Sequence, residues 1–183
     1  PLDHYSDLII NIAFPRMSLE AFVVAIADEI AQRHHDLEDG LYAKLITRTE
    51  TIKIVKKLSD EDSFQQRVDD EDDKTKNKGL NLFIAKMAQI LVDLLVNELL
   101  NAVKEKMENY ISDNGIVGSG DFKNILTSQN EEELFKQLDS VVSYSEAFKD
   151  KEKDLQKTLK SRILNSFMVE RMDGKGRYIL RQI

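Results

Sequence analysis

The 183-residue sequence contains no cysteine and no tryptophan, and it has only two prolines and seven glycines. Without cysteine the chain cannot form a disulfide, a thiolate zinc site or a cysteine nucleophile, although the redox compartment stays undetermined. So few helix-interrupting residues favour long helices. No positively charged leader followed by an apolar stretch opens the sequence, so we predict a cytoplasmic protein.

One long apolar stretch, residues 80–103, carries Lys86, Asp93 and Glu98 in its interior. Charged groups at bilayer depth are costly, and the polar residues of this stretch fall near one face of a helix. We therefore predict an amphipathic helix and no membrane association. Its wide apolar side predicts packing on two surfaces, one of them in a homodimer or with a protein partner. The predicted interface residues are Phe83, Met87, Ile90, Leu91 and Leu94.

The pattern along the chain predicts four regions. Residues 1–58 have apolar residues at helical spacing, and Gly40 is expected to end a helix or bend it into the next. Residues 59–79 carry eight acids between Asp60 and Asp73 with almost no apolar residue, which predicts a solvated acidic linker. Residues 80–112 predict the long amphipathic helix, and residues 113–183 predict a separate domain.

The last of these regions ends in VERMDGKGRYILR, residues 169–181. Large apolar residues alternate with charges on both sides of a glycine-containing turn, and this pattern is typical of a β-hairpin. The tail LQKTLKSRILNSFMVERMDGKGRYIL, a leucine-spaced helix followed by that hairpin, resembles the winged helix-turn-helix superfamily over about residues 113–183. The resemblance implies a mainly α fold, with an N-terminal helical bundle followed by a winged helix and its C-terminal β-hairpin.

Charge is distributed unevenly along the chain. From Lys149 onward ten Lys/Arg face five Asp/Glu, a net charge of +5, so residues 1–148 carry −12 of a total of −7. A basic helix and wing can neutralise phosphates. We therefore predict a non-enzymatic protein that binds DNA through its tail, while the acidic helical front mediates self-association or partner docking. The predicted DNA-binding residues are Lys149, Lys153, Lys157, Lys160, Lys175 and Arg177.

Three alternatives remain open. Lysine stripes on exposed helices often serve solvation alone, and winged helices also act as protein-interaction scaffolds. The helical front and winged tail have a loose architectural similarity to the winged-helix accessory subunits of SMC complexes, which implies a subunit of a larger complex. A third alternative is that the chain is a piece of a larger enzyme.

Other residues that could carry chemistry were weighed against simpler interpretations. His34 and His35, close to Asp36 and Glu38, have the chemistry of a metal or acid-base site. Adjacent side chains point about 100° apart on a helix, however, and two such histidines cannot easily converge on one ion. The sequence contains no recognisable catalytic pattern, phosphate loop or cofactor motif. We therefore predict no catalytic residues, no metal site and no cofactor.

Overall fold

The computed structural model describes residues 19–118, 141–164, 166 and 181 of the chain. The elements within these residues are helices, which confirms the all-α character predicted from the scarcity of glycine and proline. They are α1 (Leu19–Tyr42), α2 (Arg48–Lys56), α3 (Asp62–Thr75), α4 (Leu80–Asp113) and α5 (Glu146–Leu159), which continues into a π-helical turn (Lys160–Leu164).

The predicted fold class, a helical bundle followed by a winged helix, is wrong. The part of the chain that the structure describes contains no β-strand and therefore no winged-helix hairpin. The hairpin segment itself, residues 169–181, lies outside the described residues except for Arg181. Helix α5 lies against α1, where its Glu152 pairs with Arg33, and its apolar side is buried.

The chain divides into two compact units. One consists of Pro1–Ala27 and Asn101–Ser143, and the other of Asp28–Leu100 and Tyr144–Ile183. In the first unit, Lys106 Nζ donates a hydrogen bond to the backbone oxygen of Ser143 at 3.1 Å. The second unit contains most of α1 and all of α2, α3 and α5.

The connection between α1 and α2 explains where α1 ends and where α2 begins. Helix α1 runs through Gly40 to Tyr42, and the chain then turns at Lys44, whose φ of 57° is in the left-handed region. Helix α2 begins after Thr47, which accepts a hydrogen bond from the backbone of Glu50, while the Glu50 carboxylate accepts one from Thr47 N at 2.9 Å. This capping box satisfies backbone donors that the first turn of a helix leaves free.

Gly40 has a packing role that the sequence did not indicate. A Cβ atom placed there would lie 2.6 Å from Ile163 Cδ1 and 3.1 Å from Ile46 Cδ1. The sequence predicted that this glycine ends or bends the helix, but α1 continues through it. The missing side chain instead allows Ile163, in the π-helical turn, to approach the α1 backbone closely.

The acidic segment predicted as a solvated linker forms helix α3 over most of its length. Phe64 and Val68, spaced four residues apart, are buried on one side of this helix. Its acids are partly compensated by cations from α2, since Lys56 Nζ lies 2.6 Å from Asp69 Oδ1 and Arg48 Nε donates to Asp72 Oδ1 at 2.6 Å. The buried apolar residues and the ion pairs give this acidic stretch contacts that a solvated linker would lack.

Arg48 connects α2 to both neighbouring helices. Its NH2 group donates to the backbone oxygen of Asp72 at 2.6 Å and to Thr75 Oγ1 at 2.8 Å. The guanidinium lies 4.1 Å from the centre of the Phe83 ring in α4, within the range of a cation–π contact. One side chain therefore holds the end of α3 and the start of α4 against α2.

Helix α4 supplies much of the core. Of the five residues predicted to form an interface, Phe83, Met87, Ile90 and Leu91 are at most 1% exposed, so they offer no surface to a second subunit. Leu94 is half-buried. Among the described residues, α4 is a helix long and apolar enough to cross a membrane by length and composition, a test that a buried core helix also meets.

Candidate metal site on the first helix

The C-terminal half of α1 has a buried side and an accessible side. The buried positions recur at the helical spacing of three and four residues and are Ile30, Arg33, Leu37, Gly40 and Leu41. On the remaining surface His35 and Asp39 are exposed, and His34, Asp36 and Glu38 are half-buried. Polar side chains on the same three turns of helix therefore occupy two different environments.

His34, His35 and Glu38 bring three possible metal ligands together on the accessible side. One ligand atom from each, a ring nitrogen or a carboxylate oxygen, lies within 4.8 Å of the others. His34 Nε2 is 3.8 Å from Glu38 Oε1, and the two imidazole rings meet edge to face with their centres 5.0 Å apart. The prediction that adjacent histidines cannot easily converge did not allow for the reach of the rings, which bend towards each other.

The surroundings of this cluster are electrostatically mixed. Burial raises the pKa of the neighbouring Asp36 carboxyl, and Asp39 raises it further, while Arg33 and His35 act in the opposite direction. Arg33 itself is compensated by another partner, because its NH2 group lies 3.2 Å from Glu152 Oε1 in α5. The accessible side of α1 thus carries the two imidazoles beside the carboxyl groups of Asp36, Glu38 and Asp39, while the nearby Arg33 is paired on the buried side.

The Arg33–Glu152 pair belongs to a polar group inside the second unit. Arg33 Nε also donates to Glu152 Oε1 at 3.2 Å, and both side chains are largely buried. Next to them, burial raises the pKa of the Tyr144 hydroxyl well above its usual range, and the charges of Glu152, Glu29 and Glu98 add to this effect. The Tyr144 hydroxyl therefore stays protonated to a higher pH than that of an ordinary tyrosine.

Two grooves follow α5 and share Leu58 and Lys151 in their walls. One has a volume of about 350 Å³ and includes Ile54 and Leu155, and the other has a volume of about 440 Å³ and includes Glu98 and Phe148. Lys151 Nζ lies 2.7 Å from Asp60 Oδ2, so a salt bridge stands beside both grooves. Their walls mix apolar side chains with charges of both signs.

The predicted DNA-binding residues are partly placed by the structure. Lys153, Lys157 and Lys160 are exposed, and Lys149 is half-buried with its Nζ 2.5 Å from Glu146 Oε1. Lys175 and Arg177 lie outside the described residues. The acidic segment contacts α5 through Asp60 and Lys151, and Lys151 is not one of the predicted DNA-binding residues.

Comparison with known proteins gives one informative match. No family model matches the chain, and no solved structure matches it. The chain is 25% identical over 171 residues to a deoxyguanosinetriphosphate triphosphohydrolase-like protein of Geobacter sulfurreducens. The match includes 91% of this chain and 37% of that protein, so the chain spans little more than a third of the length of its relative.

Proposed function

We propose that the chain is part of an enzyme that hydrolyses a nucleoside triphosphate, with deoxyguanosine triphosphate as the first substrate to test. The observation that carries this proposal is the similarity to the triphosphohydrolase-like protein, which extends over 91% of the chain. The matched length is 37% of that relative, so we propose that the activity needs further residues beside those of this chain. This agrees with the third alternative from the sequence, a piece of a larger enzyme.

The reaction implied by the relative's name is hydrolysis that separates the nucleoside from an intact triphosphate. Water adds to the α-phosphorus, the bond from that phosphorus to the 5′-oxygen of deoxyguanosine breaks, and the 5′-oxygen takes up a proton. The chain has a net charge of −7, so an anionic triphosphate requires a local cation, either basic side chains or a metal ion. His34, His35 and the exposed lysines of α5 are described groups with suitable chemistry.

The test is product analysis with the full-length protein as it is expressed in its native cells. Deoxyguanosine triphosphate is incubated with the protein and a divalent metal ion, and the products are separated by anion exchange. Equal amounts of deoxyguanosine and triphosphate are expected. Release of the diphosphate and inorganic phosphate, or no turnover of any of the four deoxynucleoside triphosphates, would overturn the proposal.

A second candidate function is contact with the phosphates of DNA through the exposed lysines of α5. Lys153, Lys157 and Lys160 are spaced along one side of the helix, and within the described residues none of them is paired with a carboxylate. This candidate does not depend on a winged helix, since phosphate contacts need only accessible positive charge.

The matched experiment compares two triple variants of equal charge. Lys153→Gln, Lys157→Gln and Lys160→Gln together should abolish binding of a fluorescent DNA duplex at low salt, measured by anisotropy. Lys53→Gln, Lys78→Gln and Lys104→Gln, all exposed on other helices or loops, should weaken it far less. Equal losses in both variants would indicate a general charge effect and would remove α5 as the DNA contact.

A further inference from the structure

We propose that His34, His35 and Glu38 form a binding site for a divalent transition metal ion of the Zn²⁺ class. The first argument is the donor set. Two imidazole nitrogens and one carboxylate oxygen are ligands that Zn²⁺ binds in proteins, and imidazole favours such ions over Mg²⁺ or Ca²⁺. The proposal concerns metal binding by this chain and does not depend on the proposed hydrolase function.

The second argument is distance. Ligands at about 2.1 Å from a tetrahedral ion stand roughly 3.4 Å apart. His34 Nε2 and Glu38 Oε1 are already 3.8 Å apart, and the three ligand atoms lie within 4.8 Å of one another. Small rotations of side chains on a rigid helix close the remaining gaps, without any movement of the backbone.

The third argument is the helical register. His34 and Glu38 are separated by four residues, so they lie one above the other on the same face of α1. Their side chains are 30% and 26% exposed, which leaves them reachable by an ion and still restricted by neighbours. His35 comes from the adjacent position, and its ring is already in edge contact with that of His34.

The fourth argument is competition for the ligands. Within the described residues, no lysine or arginine forms a salt bridge with Glu38, and its carboxylate lies near His34. Arg33, the nearest cation along the helix, is occupied by Glu152 on the buried side. The carboxylate is therefore available to a metal ion, and the acids at Asp36 and Asp39 add negative potential around it.

Three protein ligands leave at least one coordination position open. Such an arrangement is typical of sites where a metal ion holds water or a ligand oxygen, whereas closed four-ligand sites serve structure. The ligand class that fits the open position is a small oxygen donor such as water or a phosphate oxygen.

The experiment is calorimetric titration of the metal-free protein with Zn²⁺, with Co²⁺ absorption as a second measurement because its visible bands report the ligand geometry. One ion per chain is expected to bind. His34→Gln and Glu38→Gln should each lower the affinity by about tenfold or more, as loss of groups that hold or orient a metal does. Asp70→Asn, which removes an exposed acid on α3, is the matched control and should change the affinity less than threefold, which is roughly 0.7 kcal/mol.

Unchanged affinity in both His34→Gln and Glu38→Gln would overturn the site, as would an equal loss in the Asp70→Asn control. Circular dichroism of each variant should show unchanged helical content and an unchanged unfolding temperature, so a loss of binding is assigned to the ligand itself. Hydrolysis of deoxyguanosine triphosphate is measured separately. Zinc binding without turnover would support the metal site and remove the proposed function, and turnover without zinc binding would do the reverse.

Discussion

The two sides of α1 place charged groups in opposite situations. On the buried side, Arg33 is 4% exposed and its charge is matched by Glu152 at 3.2 Å. On the accessible side, His34, His35 and Glu38 keep contact with solvent and have one another as close partners. A single step along the helix, from Arg33 to His34, thus separates a charge that holds the fold together from groups that are available to a ligand.

This difference follows from desolvation. A buried charge is tolerated when a partner replaces the water it has lost, and removing that partner leaves an uncompensated charge. Half-exposed groups keep part of their contact with water, so they lose less hydration energy, and a bound metal ion can replace the water molecules around them. The variants below test whether the two sides of α1 are as independent as their environments indicate.

The largest effect is expected from Arg33→Ala. It leaves Glu152 without its partner in a largely buried place and should lower the free energy of unfolding by about 3–5 kcal/mol. Urea unfolding measures this change. Lys57→Ala is the control, because Lys57 and Asp154 form an exposed pair at 3.8 Å and its loss should cost about 0–1 kcal/mol. Similar losses in both variants would mean that burial does not distinguish the two pairs.

Gly40→Ala should be the next most harmful change on the buried side. Alanine is better than glycine in a helix by about 1 kcal/mol, but its Cβ would lie 2.6 Å from Ile163 Cδ1. We expect a net destabilisation of about 1–3 kcal/mol in thermal or urea unfolding. Ile163→Val removes the Cδ1 atom, so the double variant should recover part of the loss. Strictly additive effects would show that the two residues do not touch.

Tyr144 predicts a pH dependence. Its pKa is raised in the folded state above the ordinary tyrosine value of 10.0, so the folded protein keeps a proton that the unfolded chain loses above that pH. The corresponding stability is therefore fully present below pH 10 and decreases as pH rises towards the folded pKa, by about 1.4 kcal/mol per pH unit.

The measurement compares the pH dependence of urea unfolding for wild type and Tyr144→Phe. The variant has no hydroxyl to titrate, so its stability should fall less steeply above pH 10. A constant difference between the two proteins at all pH values would show that the Tyr144 hydroxyl titrates equally in the folded and unfolded states.

The smallest effect on stability is expected on the accessible side. His35 is exposed, so His35→Gln should change the free energy of unfolding by less than about 0.5 kcal/mol, as most surface substitutions do. The same variant should weaken zinc binding. Urea unfolding in the absence of metal separates the two effects, and a loss comparable with that of Arg33→Ala would mean that both sides of α1 support the fold.

The sequence predicted which side of a helix is apolar better than it predicted what covers that side. Phe148, Leu155, Leu159 and Ile163 recur at helical spacing in the late helix, and all four are buried. The apolar side of α4 was also recognised, and Phe83, Met87 and Leu91 on it are buried within this chain, while Leu82 and Leu100 stay exposed. Helical spacing identifies a buried face, whereas the partner of that face depends on contacts far apart in sequence.

Local chemistry explains the other differences. The acidic segment was interpreted by its charge, and the spacing of Phe64 and Val68 was the signal for helix α3. Thr47 and Glu50 fit the capping-box pattern that marks the start of α2. For the histidines, the angle between adjacent positions was correct, but it describes where side chains leave the helix and not where their ring nitrogens end. The distances between ligand atoms require the rotamers, which the sequence does not contain.

The pairing of Arg33 with Glu152 joins residues 119 positions apart. At a synthesis rate of about 5–20 residues per second, the ribosome needs on the order of ten seconds after making α1 to complete α5. During that time the surface that will receive α5 and Ile163 is open, with a charge and apolar groups in contact with water. The same surface would be accessible to chaperones and to wrong partners until α5 has been made.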